Sequence, residues 1–400
     1  MLITMKNLFG IMALLLVSRF ALAQPLTIDI TKGIEGNGIP IAIAPFGGGA
    51  PEDIAGIIAA NLKRTGKIAP QPAGSPADYS VTGQAQPGGA RGYVVRFQLA
   101  GAQGAALLNL SFDVPPNQLR PVAHRISDLI YEKLTGEKGL AATRIAYIAS
   151  NRGFWYLVVA DADGQNPRVI LRSSQPLMSP SWSPDSGKLA YVSFEGRQPK
   201  IIVQDVYSGA RRVVSAAPGI NGAPSWSPNG QRLAFTLSKD GNPEIYALDL
   251  ATQSPIRLTN SSAIDTEPVW LPDGSMVFTS DRGGAPQLYR ISPGGGQAQR
   301  LTFQGDYNAR PTISPDGRTI AMVHRRNGRF YIAVLDLQSR QFRVLTNGGL
   351  DESPSFAPNG KMIIYSNGQR LKAVSLDGAV KQDFDLRGNG RDPVWAPYGR

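Results

Sequence analysis

The sequence predicts a small α/β domain followed by an all-β six-bladed propeller, with four short strands per blade and closure by its own C-terminal strand. Three observations carry this. A short phrase recurs six times at near-constant spacing. β-rich runs separated by turn tripeptides follow the copies. The N-terminal third lacks the phrase and shows helical periodicity instead.

The phrase starts at Pro180, Pro224, Pro268, Pro311, Pro354 and Pro393, steps of 44, 44, 43, 43 and 39 residues. Its full form is Pro-Ser-Trp-Ser-Pro-Asn-Gly at Pro224. Pro presets φ and Gly supplies a positive φ, so Pro-Asp-Gly and Pro-Asn-Gly are turns. Runs such as Leu233–Leu237, Glu244–Asp249 and Ile256–Thr259 follow. Four strands in about 43 residues match a propeller blade. The last phrase has nothing after it, and the first run, Ile145–Ala149, has no phrase before it. Joining the two completes a sixth blade and removes an exposed edge. Trp182, Trp226, Trp270 and Trp395 share one repeat position with Ile313 and Phe356. Packing between blades is the favoured reading of that position, ahead of stacking on a cofactor.

Ahead of the repeats, Ile39–Phe46 reads as a buried strand, and Pro51 with Glu52 and Asp53 opens a helix that Gly66 ends. Residues 70–76 read as a loop. Tyr79–Gln84, Gly92–Leu99 and Leu107–Val114 read as strands, and Leu119–Leu134 as a second helix stopped by Gly136. The expected division is a signal peptide at 1–23, a loose N-terminal segment at 24–32, an α/β domain at 33–140 and the propeller at 144–400, with 137–143 as linker. Lys6, the apolar run Leu8–Val17 and Ala21-Leu22-Ala23 form the leader. Cleavage after Ala23 leaves Gln24 first and a net charge of +9 in place of +11. The expected destination is the periplasm of a double-membraned bacterium or the outside of the cell.

The chain of 400 residues has no Cys and two His, which excludes disulfides, thiolate chemistry and multi-His metal centres. Its 41 basic residues are scattered without a dense run, so nucleic acid is not an expected partner. No nucleophile elbow, phosphate loop or zinc-protease helix occurs. Asp161-x-Asp163-Gly164 reads as a hairpin turn rather than a calcium loop. His124 reads as structural or exposed, and His324 has no evident partner. No catalytic, cofactor-binding or metal-binding residue is assigned, and no cofactor is expected. Asp265, Glu267, Asp351 and Glu352 are acids that a propeller could gather at its axis.

If the phrase is the innermost strand, the triplets before it line one rim of the channel. They are Leu177-Met178-Ser179, Asn221-Gly222-Ala223, Asp265-Thr266-Glu267, Asn308-Ala309-Arg310, Asp351-Glu352-Ser353 and Gly390-Arg391-Asp392. A uniform frame with a varied rim suits a binding surface. Its small, acidic and amide side chains suit a protein epitope better than hydrolysis.

Several stretches resemble the TolB family, the periplasmic propeller proteins of the Tol-Pal system. They include Ile41-Ala-Ile-Ala-Pro-Phe, Pro51-Glu-Asp-Ile-Ala-Gly-Ile-Ile, Tyr131-Glu-Lys-Leu-Thr-Gly, Gln175-Pro-Leu-Met-Ser-Pro and Asn221-Gly-Ala-Pro. The resemblance implies a non-catalytic, monomeric binding protein that reaches membranes only through its partners. It implies that the propeller rim binds Pal, the peptidoglycan-associated lipoprotein, with Ala223 and Thr266 at implicated positions. The neighbouring rim follows: Met178, Ser179, Asn221, Gly222, Asp265, Glu267, Asn308, Arg310, Asp351 and Glu352. Ile220 stands where a relative has histidine. The segment Gln24, Pro25, Leu26, Thr27, Ile28, Asp29 and Ile30 matches the part that binds the C-terminal domain of TolA. The implied role is outer-membrane invagination during division and envelope integrity. The alternative from another class is a propeller hydrolase, lyase or cyclase with its site at the channel mouth. A sugar-binding module would need aromatic platforms on the rim.

Overall fold

The computed structural model describes residues 38–89, 92–386 and 388–399. The expected leader and the segment Gln24–Ile30 lie outside the described residues. The first domain is a mixed sheet of order β2-β1-β3-β4-β5: β1 Ile39–Ile43, β2 Ile68–Pro72, β3 Tyr79–Gly88, β4 Gly92–Gly101 and β5 Ala106–Val114. β1 runs parallel to β2 and β3, and the other pairs are antiparallel. Helices α1 (Ile54–Arg64) and α2 (Leu119–Thr135) build its core with Ile41, Val81, Val95, Phe97 and Leu99.

Two expectations here are corrected. The first helix begins at Ile54, because Asp53 is its N-cap and its carboxylate accepts the Gly56 N–H at 2.9 Å. Pro51 precedes it. Residues 70–72, read as loop, belong to β2; Pro70 and Pro72 are tolerated because β2 is an edge strand. The linker is also less free than expected. The Asp128 carboxylate accepts the N–H groups of Ala141 and Ala142 at 2.7 and 2.9 Å.

Six four-stranded antiparallel sheets follow. Their inner strands are Leu177–Trp182, Asn221–Trp226, Asp265–Trp270, Asn308–Ile313, Asp351–Phe356 and Asn389–Trp395. The last pairs with Arg144–Asn151, Trp395 opposite Ile145 and Gly390 opposite Ala149. It makes the first blade from the two ends of the propeller sequence. Counting that blade as the first, blades two to six follow in chain order. The apolar clusters lie between neighbouring blades; one packs Ile148, Leu157 and Val159 of blade one against Leu189, Tyr191 and Ile202 of blade two.

The tryptophan position packs between blades and also bonds across them. The indole N–H of Trp182 donates to the Val394 carbonyl, that of Trp226 to Ser181 and that of Trp270 to Ser225, at 3.3, 3.1 and 3.2 Å. Each acceptor belongs to the inner strand of the preceding blade. Trp395 instead donates to Thr143 Oγ1 at 2.8 Å, where the propeller meets the first domain. At the rear of the blades, Arg168 donates to the Val206 carbonyl at 2.6 Å and Arg343 to Leu376 at 3.1 Å, strapping one blade to the next.

Deleting residues 390–400 removes the inner strand of blade one and uncovers apolar faces on both sides of the gap. Thermal unfolding of the truncated chain should show a sharply lowered Tm or no cooperative transition. A truncated protein that melts like the full one contradicts closure by the C-terminal strand.

Candidate functional site

The channel mouth is built by one local device used six times. Each inner strand has a break in register after its first residues. The third residue of each triplet is left-handed there. Ser179, Ala223, Glu267, Arg310, Ser353 and Asp392 have φ of 50, 48, 56, 51, 52 and 46°. This is a β-bulge, and it re-aims one side chain per blade. All six line an axial cavity of about 560 Å³, followed by the ring of phrase prolines.

These side chains form a connected set across five blades. Glu267 Oε2 accepts the Thr279 hydroxyl and the Arg310 backbone N–H, each at 2.8 Å. The Arg310 guanidinium lies 3.3 Å from Glu267 and 3.2 Å from Asp392, and donates to the Ser353 hydroxyl. Ser353 donates to Asp392 at 2.8 Å, and Asp392 accepts the Ser179 N–H at 3.2 Å. Burial opposes the charge on Arg310, but Asp392, Glu267 and Glu352 outweigh it and raise its pKa. Ala223, in blade three, is the one position of the ring without a polar side chain.

The first triplet residues are placed differently from the expectation. Asn221, Asp265, Asn308 and Asp351 are fully buried inside their own blades. Asn221 accepts from Ser215 and donates to the Ala217 carbonyl. Asp265 accepts from Ser280 and Arg282 at 2.6 Å each. Asp351 accepts from Thr346 and Asn367. They tie the loop before each inner strand and offer nothing to a partner. Asp265 and Asp351 therefore do not reach the axis, whereas Glu267 does. Of the second residues, Met178, Gly222 and Thr266 are half-buried, and Glu352 is exposed. Thr266 Oγ1 lies 3.2 Å from Thr236 Oγ1 of blade three. Sequence reasoning named Ile220 but missed its two apolar counterparts, Ile264 and Leu350. Each of the three stands one residue before its inner strand, and they are 48, 49 and 62% exposed. Their common offset from the phrase was the available signal.

Neither histidine is poised for catalysis. His324 is buried, with Nδ1 at 3.0 Å from Asn308 Oδ1 and its ring edge-on to Phe342; the partner invisible in sequence is Asn308. His124 is also buried, at the junction of the domains. Asn61 Nδ2 donates to its Nδ1 at 2.9 Å, and its Nε2 lies 3.5 Å from Asp161. The Asp161–Gly164 turn is the expected hairpin turn with an unforeseen task. Arg120 of α2 pairs with Asp161 at 2.9 Å and Asp163 at 2.5 Å. Arg64 of α1 lies 3.6 Å from Asp163. His124, Asp161 and Asp163 have the proximity of metal ligands, yet two guanidinium groups already neutralise the two carboxylates.

Burial lowers the pKa of His124 more than Asp161 raises it. The unfolded chain therefore takes up a proton near pH 6.5 that the folded chain resists, and this contribution to stability is lost as pH falls below 6.5. Asp128, pushed up to about 6 by burial, works in the opposite sense, gaining stability as pH falls from 6 towards 4. Tm measured from pH 7 to 5 should fall less steeply in His124→Gln than in the wild type. Parallel profiles contradict the assignment.

The ring also shows what Ala223 tolerates. Ser, Glu, Arg and Asp adopt the same left-handed φ in other blades. Ala223→Glu should therefore leave Tm within a few degrees while crowding the mouth, whereas β-branched Ala223→Val adds strain of about 1–2 kcal/mol. A Tm for Ala223→Glu as low as that of the Val variant contradicts this account.

Against this geometry stand the comparisons with known proteins. Residues 131–399 match the model of the TolB beta propeller domain, and residues 26–77 that of the TolB amino-terminal domain. A Tol-Pal system protein TolB from Thioalkalivibrio sulfidiphilus is 56% identical, covering 93% of this chain and 94% of its own. One from Nitrosococcus oceani is 54% identical, covering 98% of each. The crystal structure of TolB from Acinetobacter baumannii superimposes with a TM-score of 0.86 at 40% identity, over 93% of this chain and all of that one.

Proposed function

The chain belongs to the TolB family of Tol-Pal system proteins, and from that premise we propose that it is a non-catalytic periplasmic binding protein whose propeller mouth docks the lipoprotein Pal. The carrying observation is the bulged ring, which holds six varied side chains on a frame fixed by prolines and inter-blade bonds. Such a frame presents an epitope with little ordering cost. Ala223 and Thr266, with the surrounding Ser179, Gly222, Glu352 and the apolar Ile220, Ile264 and Leu350, form the contact surface. A non-catalytic role is supported by the engagement of every titratable group at the axis. Glu267 and Asp392 both pair with Arg310 and accept further hydrogen bonds, so neither stands as an unengaged base.

The segment Gln24–Ile30 is the second contact, taken by the C-terminal domain of TolA. Its alternation of polar Thr27 and Asp29 with Ile28 and Ile30 suits strand addition to a partner's sheet edge. Among the described residues no helix is long and apolar enough to cross a membrane. The periplasmic location rests on the leader pattern. One protein touching an outer-membrane lipoprotein and an inner-membrane-anchored partner supports envelope integrity and invagination during division.

Calorimetry of the mature chain with each partner tests this. Pal should bind the mature chain and a form lacking residues 24–30 alike, and TolA should bind only the former. Thr266→Ile removes a hydroxyl that a partner group would meet and should weaken Pal about tenfold at unchanged Tm, in line with 1–3 kcal/mol for an unpaired buried polar group. Unchanged TolA affinity after truncation, or Thr266→Ile lowering Tm and leaving Pal affinity alone, overturns the reading.

A further inference from the structure

Arg391 is a rim cation that no carboxylate contacts directly among the described residues. It is the second residue of its triplet, next to Asp392 of the channel ring. Its guanidinium sits over the face of Trp155, with Cζ 3.9 Å from the ring centroid. It forms no ion pair among the described residues, and its Nε is buried without a hydrogen-bond partner. Arg310, by contrast, is held between two carboxylates. Burial opposes the charge on Arg391 and lowers its pKa; Asp392 is close enough to favour the charged form, but its oxygens are taken by Arg310, Ser353 and Ser179. Glu352 acts on the same charge from a distance and remains exposed.

A flat, half-buried guanidinium with its rotamer fixed by an indole face is preorganised for a planar two-oxygen acceptor. We propose that Arg391, seated on Trp155, is a docking point for a side-chain carboxylate of the protein partner. What Arg391 lacks is an acceptor for its N–H groups, which a single carboxylate supplies, whereas the neighbouring Asp392 and Glu352 disfavour the greater charge of a phosphate dianion. On the remaining rim, Ile220, Ile264 and Leu350 offer apolar contact, so the carboxylate fixes orientation about the propeller axis where apolar contacts cannot.

The proposal rests on the rim being the Pal-binding surface. Pal affinity is measured by calorimetry for the wild type, Arg391→Gln and Arg391→Lys, with Tm recorded for each. The Gln variant should lose tenfold or more, with a shallower fall of affinity as sodium chloride is raised. The Lys variant keeps the charge but not the planar fork, and should lose most of the same affinity. Wild-type binding that both substitutions leave unchanged overturns the proposal alone. No wild-type binding overturns the rim reading and this proposal together. Should Arg391→Gln unfold, Arg391→Lys decides: full affinity overturns the proposal, and a tenfold loss at unchanged Tm supports it.

Discussion

Each blade of this propeller is apolar on both faces, and that constraint organises the rest. Ala146, Ile148, Leu157 and Val159 of blade one face one neighbour, while Ile145, Tyr147, Val158 and Ala160 face the other. A sheet buried on both sides cannot stand at the end of a row. At roughly 25 cal/mol per Å² of apolar surface, one uncovered face would cost several kcal/mol, a large share of a domain's stability. Closure is therefore required, and the chain achieves it by giving blade one its inner strand from the far end of the sequence. The indole N–H bonds and arginine straps fix the spacing between neighbours that are already obliged to touch.

A closed, stiff ring can hold strain, and it does so at the mouth. Six non-glycine residues sit in the left-handed region, each at a cost of about 1–2 kcal/mol. The frame on either side, a buried proline and a buried first residue in most blades, over-determines the backbone there. Side chains can then vary at the bulge without altering the fold. This accounts for the division of labour inside each triplet. The first position, where it is Asn or Asp, ties the blade's own loop, the third faces the axis, and solvent is met most broadly by the residue before the triplet in four blades and by Glu352. Variety in the first position, Asn or Asp against Leu, answers to different loop partners and not to a ligand.

The sequence discloses what depends on spacing. The phrase, its turn tripeptides and the missing half-blade fix blade number, strand order and closure, because each is a one-dimensional pattern. Contacts between distant positions are hidden. Nothing near Asp161 announces that Arg120 of α2 will pair with it, and nothing near His324 points to Asn308. β2 is concealed by Pro70 and Pro72, whose depletion from strands holds for central positions and not for edges. The rim was legible as a place but not residue by residue. A bulge turns the third side chain towards the axis and leaves the first inside, and strict alternation along a strand does not foresee that shift.

The inner strand of blade one is where the two parts of the molecule meet. Its outer end carries Arg391 and Asp392 at the mouth. Its other end is Trp395, whose indole donates to Thr143 of the junction and whose backbone N–H donates to Ser355 of blade six at 3.0 Å. Just beyond, Tyr398 donates to the Gly139 carbonyl at 3.0 Å. The pairing of this strand with Arg144–Asn151 breaks in register between Arg391 and Val394, at Asp392, and resumes at Val394 and Trp395. Blade six adds a second route at the junction. Gln382 donates to the Arg64 carbonyl at the end of α1, and Gly66 just after it lies against Val380 so closely that a Cβ would sit 2.4 Å from a methyl group. The same closure that stabilises the ring thus fastens the mouth to the N-terminal domain, with no hinge of loose chain between them: the segment 137–143 is itself pinned by Asp128. Blade one, blade six and the first domain are therefore neighbours in direct contact, and the mouth and the N-terminal domain share one packed frame.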